Sequence, residues 1–211
     1  MPGSLEIELK MRADDEAPLR HLADVPLLGG CRLGPAREVE ETDRYLDTAD
    51  RRLSSQGWAC RLRKRNGVTL VSLKGPPEHA PGEALHRRPE LEGPADGVPD
   101  PAAWPPSAAR SRLLELTGHE ALRERIVLRQ RRVERVVEPD RRLGVLSLDR
   151  VEVLRDGTAR GDFAVVELEL AGGADERELA PLAEALYATP GLQAEPRTKL
   201  ERALELAPDC G

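Results

Sequence analysis

Charged side chains recur at every second position along several stretches of this chain, and this pattern constrains the fold more than any other feature. In residues 4–12, glutamate, lysine and arginine alternate with leucine, isoleucine and methionine. Successive side chains of a β-strand point to opposite faces, so a period of two predicts a strand with one charged and one apolar face. A chain that repeats this pattern is expected to form a sheet with its charges on one side.

Turn residues between the alternating runs divide the chain into strands. The pattern predicts strands at 4–12, 37–48, 58–65, 68–74, 84–92, 124–137, 143–155 and 162–171. Asn66-Gly67 and Asp156-Gly157 each lie between two consecutive runs, and such dipeptides favour tight hairpin turns. Pro89 lacks the backbone donor of a sheet ladder, so it predicts an edge strand or a bulge within its run.

Apolar residues at helical spacing predict the remaining elements. The predicted helices are 14–24, 109–122, 175–188 and 197–207. The segment 93–108 holds five prolines and no periodicity, so we expect a loop between two halves, with Trp104 packed against the body. With 211 residues, of which 39% are hydrophobic, residues 1–211 are predicted to form a single domain.

The composition argues against two classes of partner. Two Trp, two Tyr and one Phe leave little material for base stacking, and the net charge of −6 opposes wrapping of a polyanion, so nucleic acid is an improbable partner. No segment approaches the roughly 20 consecutive apolar residues of a membrane span, so no membrane partner is expected. The scattered cysteines Cys31, Cys60 and Cys210 favour a reducing, cytoplasmic location.

The charged faces carry unusually uniform signs. The sets spaced by two are Glu6/Glu8/Lys10, Arg61/Arg63, Lys74, Arg88/Glu90/Glu92, Arg129/Arg131 and Glu167/Glu169. An ordinary sheet with one solvated face would explain any one of them. Taken together, they favour an α+β fold built on a closed antiparallel eight-stranded β-barrel, with a charged lumen and apolar outer faces covered by flanking helices.

A lumen with carboxylates on one side and guanidinium groups on the other has a natural ligand. Carboxylates bind Mg²⁺ or Mn²⁺ through hard oxygen atoms, whereas an arginine fork pairs with two phosphate oxygens at once. The sequence therefore favours a metal-bound polyphosphate as the ligand of the lumen.

The order of these motifs resembles that of the CYTH family, the triphosphate tunnel metalloenzymes named for class IV adenylate cyclases and thiamine triphosphatases. The resemblance runs from Glu6 to Ala203. The matching segments are Glu6-Ile7-Glu8-Leu9-Lys10, Tyr45-Leu46-Asp47-Thr48, Arg61-Leu62-Arg63, Leu73-Lys74-Gly75, Arg88-Pro89-Glu90-Leu91-Glu92, Arg129-Gln130-Arg131, Asp149, Glu167-Leu168-Glu169 and Thr198-Lys199-Leu200-Glu201-Arg202-Ala203.

The resemblance implies a division of roles. The residues implied to bind phosphate are Lys10, Arg61, Arg63, Lys74, Arg88, Arg129, Arg131 and Lys199. The residues implied to ligate Mg²⁺ or Mn²⁺ are Glu6, Glu8, Glu167, Glu169 and Asp149, with Glu90 and Glu92 as second-tier candidates. Glu6, Glu8 and Lys10 are the implied catalytic residues, with Lys10 assisting the attacking water or balancing the carboxylates.

Two local features leave the alignment of strands open. Arg132 follows Arg131 directly, so a shift of one residue would exchange the inward and outward side chains of that strand. A bulge at Pro89 would turn Glu90 and Glu92 away from the lumen.

The implied activity is metal-dependent hydrolysis of the terminal phosphate of a triphosphate. Scarce aromatic residues favour inorganic tripolyphosphate, and strand parity points Trp58 away from the arginines and towards the core. Thiamine or nucleoside triphosphate hydrolysis, a class IV type adenylate cyclase and a non-catalytic polyphosphate-binding module are the alternatives. Some family members also carry a helical CHAD domain, which is a further partner if this chain is a fragment.

Overall fold

The computed structural model describes residues 4–78, 84–138 and 140–208, so Cys210 lies outside the described part. The strands are β1 Ser4–Ala13, β2 Leu27–Leu28, β3 Cys31–Arg32, β4 Arg37–Thr48, β5 Ala59–Arg65, β6 Val68–Lys74, β7 Leu85–Pro94, β8 Leu122–Val137, β9 Gly144–Arg155, β10 Thr158–Leu170 and β11 Leu192–Ala194. The α-helices are α1 Ala17–Asp24, α2 Ala108–Thr117, α3 Leu179–Tyr187 and α4 Lys199–Leu206.

Eight long strands form a closed ring. Going round the ring, the order is β1, β10, β9, β8, β4, β5, β6 and β7, and β7 pairs again with β1. Every pairing is antiparallel. This confirms the predicted closed eight-stranded barrel, with the short strand β11 added beside the end of β1.

Local signals set the helix boundaries more tightly than the apolar spacing did. The side chain of Asp15 accepts a hydrogen bond from the amide of Ala17 at 2.7 Å, so α1 begins at Ala17 rather than at residue 14. Ser107 caps α2, which stops before Gly118 because Gly118 adopts a φ of 61°. Within the described residues, no helix is long and apolar enough to cross a membrane.

The apolar faces of the strands point outward and are covered by helices. One cluster joins the outer faces of β1, β9 and β10 to α1 and α3 through residues such as Met11, Leu168 and Leu182. A second cluster joins the outer faces of β5 and β6 to α2 and includes Trp104. Trp104 is buried and donates a hydrogen bond to the carbonyl of Val98 at 2.7 Å, as its predicted packing role requires.

A third apolar cluster lies inside the barrel, at the end where β8 and β10 begin. The residues of this cluster are Tyr45, Ile126, Leu128, Val151, Val153, Phe163, Val165, Ala203 and Ala207. The two alanines belong to α4 and the turn that follows it, so α4 fills this end. We call this the plugged end, and the opposite end the open end.

Pro89 causes neither an edge strand nor a bulge, so that prediction is wrong. β7 pairs with β1 on one side and with β6 on the other, and neither register is interrupted. The carbonyl of Pro89 accepts from the amide of Gly75 at 2.8 Å, just beyond the last residue of β6. The missing donor therefore falls where the neighbouring strand has ended, which makes proline tolerable here.

Candidate active site

A cavity of about 930 Å³ occupies the interior of the barrel. It is lined along the whole of β5, from Ala59 towards the plugged end to Arg65 at the open end, so it runs along the barrel as a tunnel that α4 narrows at the plugged end. Acidic and basic side chains line the tunnel in comparable numbers, which agrees with the charged lumen expected of this fold.

The structure brings most of the sequence-predicted site residues together in this tunnel. Those that line it are Glu6, Glu8, Lys10, Arg61, Arg63, Lys74, Arg88, Glu90, Glu92, Glu167, Glu169 and Lys199. Asp149 is fully buried beside them and accepts a hydrogen bond from Lys199 at 2.6 Å. Because β7 has no bulge, Glu90 and Glu92 keep the inward orientation of their strand.

Arg129 and Arg131 do not belong to the tunnel, so their predicted inward placement is wrong. Both are exposed on the outer surface of β8, where Arg129 lies 3.6 Å from Glu152. Arg132 lines the tunnel instead. The cause is α4, which requires apolar side chains on the inner face of β8 at the plugged end, so that Ile126 and Leu128 point inward.

The first strand places its carboxylates against three cations. Glu6 is paired with Lys74 and accepts from Arg88 Nε at 3.0 Å. Glu8 accepts from Lys10 Nζ at 2.9 Å and from Arg88 Nη2 at 3.2 Å. Burial opposes ionisation of Glu8, but the charge of Lys10 beside it holds the pKa of Glu8 well below its ordinary value.

Glu169 is the exception among these acids. It lies directly opposite Glu8 in the β1–β10 ladder, and in the described part of the chain its carboxylate makes no hydrogen bond or ion pair. Partial burial and the repulsion of Glu6 raise the pKa of Glu169 to about 7, with Glu8 adding to the effect. Glu6, Glu8 and Glu169 therefore form an acidic patch in which Glu169 is the carboxylate without a cation partner among the described residues.

A second charged cluster sits deeper, where α4 meets the barrel. Lys199, the first residue of α4, donates to Asp149 at 2.6 Å and to Glu167 at 2.7 Å. Arg132 forms two hydrogen bonds to Asp149, at 2.6 and 2.8 Å. Both acids are thus already neutralised by protein cations.

The third cluster joins β4, β5 and β8. Arg63 donates to both oxygens of Asp43 at 2.7 Å, and Gln130 donates to Asp43 at 2.7 Å. Burial by itself would raise the pKa of Asp43, but the charges of Arg61 and Arg63 lower it well below its ordinary value. Asp43 is therefore a permanent anion that fixes Arg63.

Arg61 is held far more loosely than Arg63. Its nearest polar neighbours are Ser72 at 3.5 Å, Asp43 at 3.5 Å and Glu90 at 3.9 Å. The Nε atom of Arg61 is buried and finds no hydrogen-bond partner in the part of the chain that the structure describes. A buried guanidinium with unused donors is suited to receive an anion.

The fit of the acidic patch to a divalent cation can be judged from its donors. Within the described residues, no three Asp, Glu, His or Cys side chains form a ready-made metal cluster. Mg²⁺ is nevertheless held in many proteins by one or two carboxylates together with substrate phosphates. Glu6, Glu8 and Glu169 supply hard oxygen donors, and a cation would relieve the repulsion that raises the pKa of Glu169.

Several tunnel residues were missed at the sequence level. They are Glu41, Asp43, Arg65, Ser72, His86, Gln130 and Glu134, whereas Arg132 is the inward residue that the register left open by the sequence had allowed. Glu41-x-Asp43-x-Tyr45 does alternate with period two, but the charged residues Glu40 and Arg44 on the opposite face hide it. On β10, the change from Phe163 and Val165 to Glu167 and Glu169 on one face was the available signal for the plug.

Two further expectations concern residues outside the charged clusters. Asp47 of the Tyr-x-Asp-Thr motif is buried and accepts hydrogen bonds from the amides of Thr48 and Leu53 at 2.8 and 3.0 Å, so it fixes the loop after β4. Trp58 packs against the α2 cluster, with Arg112 stacked 5.2 Å from the centre of its ring, as predicted. It also lines the tunnel at the plugged end, which strand parity did not indicate.

Solved structures of other proteins share this fold. A protein of Hippeastrum, described as a candidate adenylyl cyclase with a dominant triphosphatase activity, superposes with a TM-score of 0.70 at 20% identity, covering 95% of each chain. A candidate adenylate cyclase of Bacillus halodurans gives a TM-score of 0.67 at 21% identity, covering 96% of this chain and 98% of the other.

A third similar structure, from Pyrococcus horikoshii, gives a TM-score of 0.57 at 20% identity, covering 95% of this chain and 98% of the other. Comparison with curated protein sequences finds no match. The family description that matches is that of the CYTH domain, over residues 4–204. The chain, with its charged tunnel and its eight-stranded ring, belongs to the CYTH domain family.

Proposed function

We propose that this protein hydrolyses the terminal phosphate of a triphosphate inside the tunnel, with Mg²⁺ or Mn²⁺ as cofactor and inorganic tripolyphosphate as the preferred substrate. The observation that carries the proposal is Arg61, a buried cation in the tunnel whose Nε has no hydrogen-bond partner among the described residues and whose contacts with Ser72, Asp43 and Glu90 are 3.5 Å or longer. A phosphate group bound there would gain charge-assisted hydrogen bonds without displacing an existing short ion pair.

Other cations of the tunnel extend this phosphate site. Lys74 lies 3.4 Å from Glu90, a residue that Arg61 also approaches, so the two cations border the same space. Arg88 borders it from the neighbouring strand through its contacts with Glu6 and Glu8. We assign phosphate binding to Arg61, Lys74 and Arg88, with Arg63, Arg132 and Lys199 holding the acids that frame the site.

The acidic patch is the proposed cofactor site. Glu6, Glu8 and Glu169 would hold Mg²⁺ or Mn²⁺, and the bound cation supplies Lewis-acid polarisation of the phosphoryl oxygens. Glu167 and Asp149 rank second because both are held by Lys199 and Arg132, whereas the acidic patch includes Glu169, which has no such partner among the described residues. Glu90 and Glu92 remain second-tier candidates.

Lys10 is not expected to accept a proton from the attacking water. Burial would lower its pKa, but Glu8 and Glu167 on either side raise the pKa of Lys10 above its ordinary value. The ammonium group therefore stays protonated, orients Glu8 and adds positive charge where phosphoryl oxygens gain negative charge.

Two observations bear on the substrate. The charged tunnel and the few aromatic residues near it favour a substrate that is entirely phosphate. Trp58 at the plugged end favours thiamine or nucleoside triphosphate as the second candidate, because its ring could contact an organic group. The names of two similar structures add adenylate cyclase as a further alternative.

The test measures phosphate release from tripolyphosphate, ATP and thiamine triphosphate with Mg²⁺, with Mn²⁺ and with a chelator. Glu6→Gln/Glu8→Gln should lose most of the activity, whereas Glu152→Gln, on the outer surface, should keep it. Release of phosphate from none of the three substrates would refute the hydrolase. Cyclic AMP and pyrophosphate from ATP would establish the cyclase, and metal-independent binding without turnover would establish a binding module.

A further inference from the structure

Two arginines stand at the open end of the tunnel. Arg37 is the first residue of β4, and Arg142 lies between the end of β8 and the start of β9. Because β4 is antiparallel to both β5 and β8, the start of β4 lies beside the ends of those strands. Arg37, Arg142 and the last residue of β5, Arg65, therefore meet at one mouth, and all three line the cavity.

Arg37 and Arg142 differ from the cations deeper in the tunnel. Arg65 is neutralised by Glu134 and Glu41. The side chains of Arg37 and Arg142 are exposed, and among the residues that the structure describes neither has a hydrogen-bond or ion-pair partner. Arg142 also adopts a φ of 48°, a left-handed conformation that is uncommon for a residue with a side chain.

The plugged end has a different character. The residues outside the strands that line the cavity there are Ser54, Gly57, Trp58, Gly75, Pro77, Pro196, Thr198, Lys199, Leu200, Glu201 and Leu204, and the basic residue among them, Lys199, is paired with Asp149 and Glu167. Arg125, near the start of β8, also lines the cavity, but it lies 3.8 Å from Asp47. Exposed arginines without a partner therefore line the cavity at the open mouth and not at the plugged end, as far as the described residues show.

We propose that Arg37 and Arg142 capture the incoming triphosphate and make the open end the entrance of the tunnel. The proposal rests on a triphosphate being the ligand, as proposed above. The chain as a whole is acidic, with a net charge of −6, and would repel a polyanion. Two unpaired guanidinium groups at a mouth with low-dielectric walls focus the local field and raise the rate of encounter.

The test compares association rates of inorganic tripolyphosphate, followed by stopped-flow tryptophan fluorescence and checked by calorimetry. Arg37→Gln/Arg142→Gln should associate about tenfold more slowly than the wild type at low salt, while the dissociation rate changes less than about twofold. The difference should vanish at about 0.5 M salt, where surface charges are screened. Arg160→Gln, an exposed arginine near the plugged end of β10, should associate at the wild-type rate.

The outcomes separate this proposal from the proposed function. An unchanged association rate in the double variant, or an equally slow association in Arg160→Gln, would refute the proposal that the open end is the entrance. Either result would leave the proposed hydrolysis unaffected. The wild type could also bind tripolyphosphate with the expected charge dependence and fail to hydrolyse it. That result would support the open end as the entrance and refute the proposed hydrolysis. Absence of any binding to the folded wild type would overturn both.

Discussion

Arg61 and Arg63 face the same tunnel two residues apart on β5, yet they are held in opposite ways. Arg63 is clamped by both oxygens of Asp43 at 2.7 Å, whereas among the described residues the hydrogen bond and ion pairs of the Arg61 side chain are 3.5 Å or longer. Removing one partner of a tight buried ion pair leaves an uncompensated charge, and that is strongly destabilising. The two residues should therefore separate stability from activity.

We expect Arg63→Met to lower the free energy of unfolding by about 3–5 kcal/mol, because Asp43 loses its bidentate partner. Arg61→Met should change the free energy of unfolding by less than about 1 kcal/mol. The same change should reduce kcat/KM for tripolyphosphate at least about 100-fold, because a donor aimed at the phosphate is gone. Urea unfolding and phosphate release measure the two effects, and equal destabilisation by both variants would contradict this account.

The depressed pKa of Asp43 predicts how stability responds to acid. The folded state holds this pKa well below the unfolded value, so the ion pair contributes fully above the unfolded pKa of about 3.9. Its contribution is lost as pH falls from there towards the folded pKa, at up to about 1.4 kcal/mol per pH unit.

Asp43→Asn should therefore show a shallower loss of stability below about pH 4 than the wild type, although it is less stable at neutral pH. Urea titrations at a series of acidic pH values provide the slopes. Asp162→Asn, at an exposed position on β10, is the matched control and should keep the wild-type slope. Identical slopes for Asp43→Asn and the wild type would argue against the ion pair.

β8 illustrates what alternation can and cannot predict for an element. The period of two correctly predicted a strand, and on β1 and β5 the charged face is also the inner face. On β8 the inner face is apolar at Ile126 and Leu128 and becomes polar from Gln130 onward, because α4 occupies only one end of the lumen. A helix distant in sequence decides which face is inward, so the strand alone cannot reveal it.

This assignment of β8 can be tested with two neighbouring residues. Arg132→Met should lower the free energy of unfolding by about 3–5 kcal/mol, because buried Asp149 loses two hydrogen bonds. Arg131→Met, on the outer surface, should change it by less than about 0.5 kcal/mol. Thermal and urea unfolding decide between them, and the reverse ranking would mean that Arg131 faces the tunnel.

The start of α4 positions Lys199. Thr198 accepts a hydrogen bond from the amide of Glu201 at 3.1 Å, and the Glu201 side chain accepts one from the amide of Thr198 at 2.7 Å. Thr198→Ala should cost about 1 kcal/mol of stability through loss of this capping box. Thr158→Ala, at the exposed start of β10, should cost less than half as much in the same urea experiment.

At the scale of the whole molecule, most carboxylates that line the tunnel are paired with lysine or arginine side chains that also line it. Glu6 and Glu8 are held by Lys74, Arg88 and Lys10, the cations that a phosphate would also contact. If phosphate binds as proposed and draws these cations away, the carboxylates would become available to a metal ion, and a metal ion on the carboxylates would in turn release the cations for phosphate. Binding of the two ligands should therefore be mutually favourable.

We expect tripolyphosphate to bind at least about tenfold more tightly with Mg²⁺ than without it, after correction for Mg²⁺ complexes formed in solution. Mg²⁺ affinity should increase by the same factor, because coupling is reciprocal. Glu169→Gln should shrink the factor, since the acidic patch loses one charge. Calorimetry in which each ligand is added first measures the two changes in affinity. Independent binding of the two ligands would contradict the claim that they compete with the protein for the same charged side chains.

The overall architecture was largely predictable, because many strands agree in parity and their motifs occur in a family order. Details that depend on contacts between distant segments were not predictable. Pro89 is harmless only because β6 ends beside it, and Asp43 becomes a tunnel residue only when β4 lies between β5 and β8. Both facts arise from the order of strands round the ring, which alternation does not encode.

Closure of the ring through β1 and β10 has a consequence for how the chain folds. β1 can pair with β7 as soon as residues 85–90 are available, but its other edge must wait for residues 164–169. Until then the N-terminal half presents an unpaired edge, the kind of surface to which other chains add strands. During synthesis on the ribosome, aggregation should therefore be most probable in the interval between translation of β7 and translation of β10.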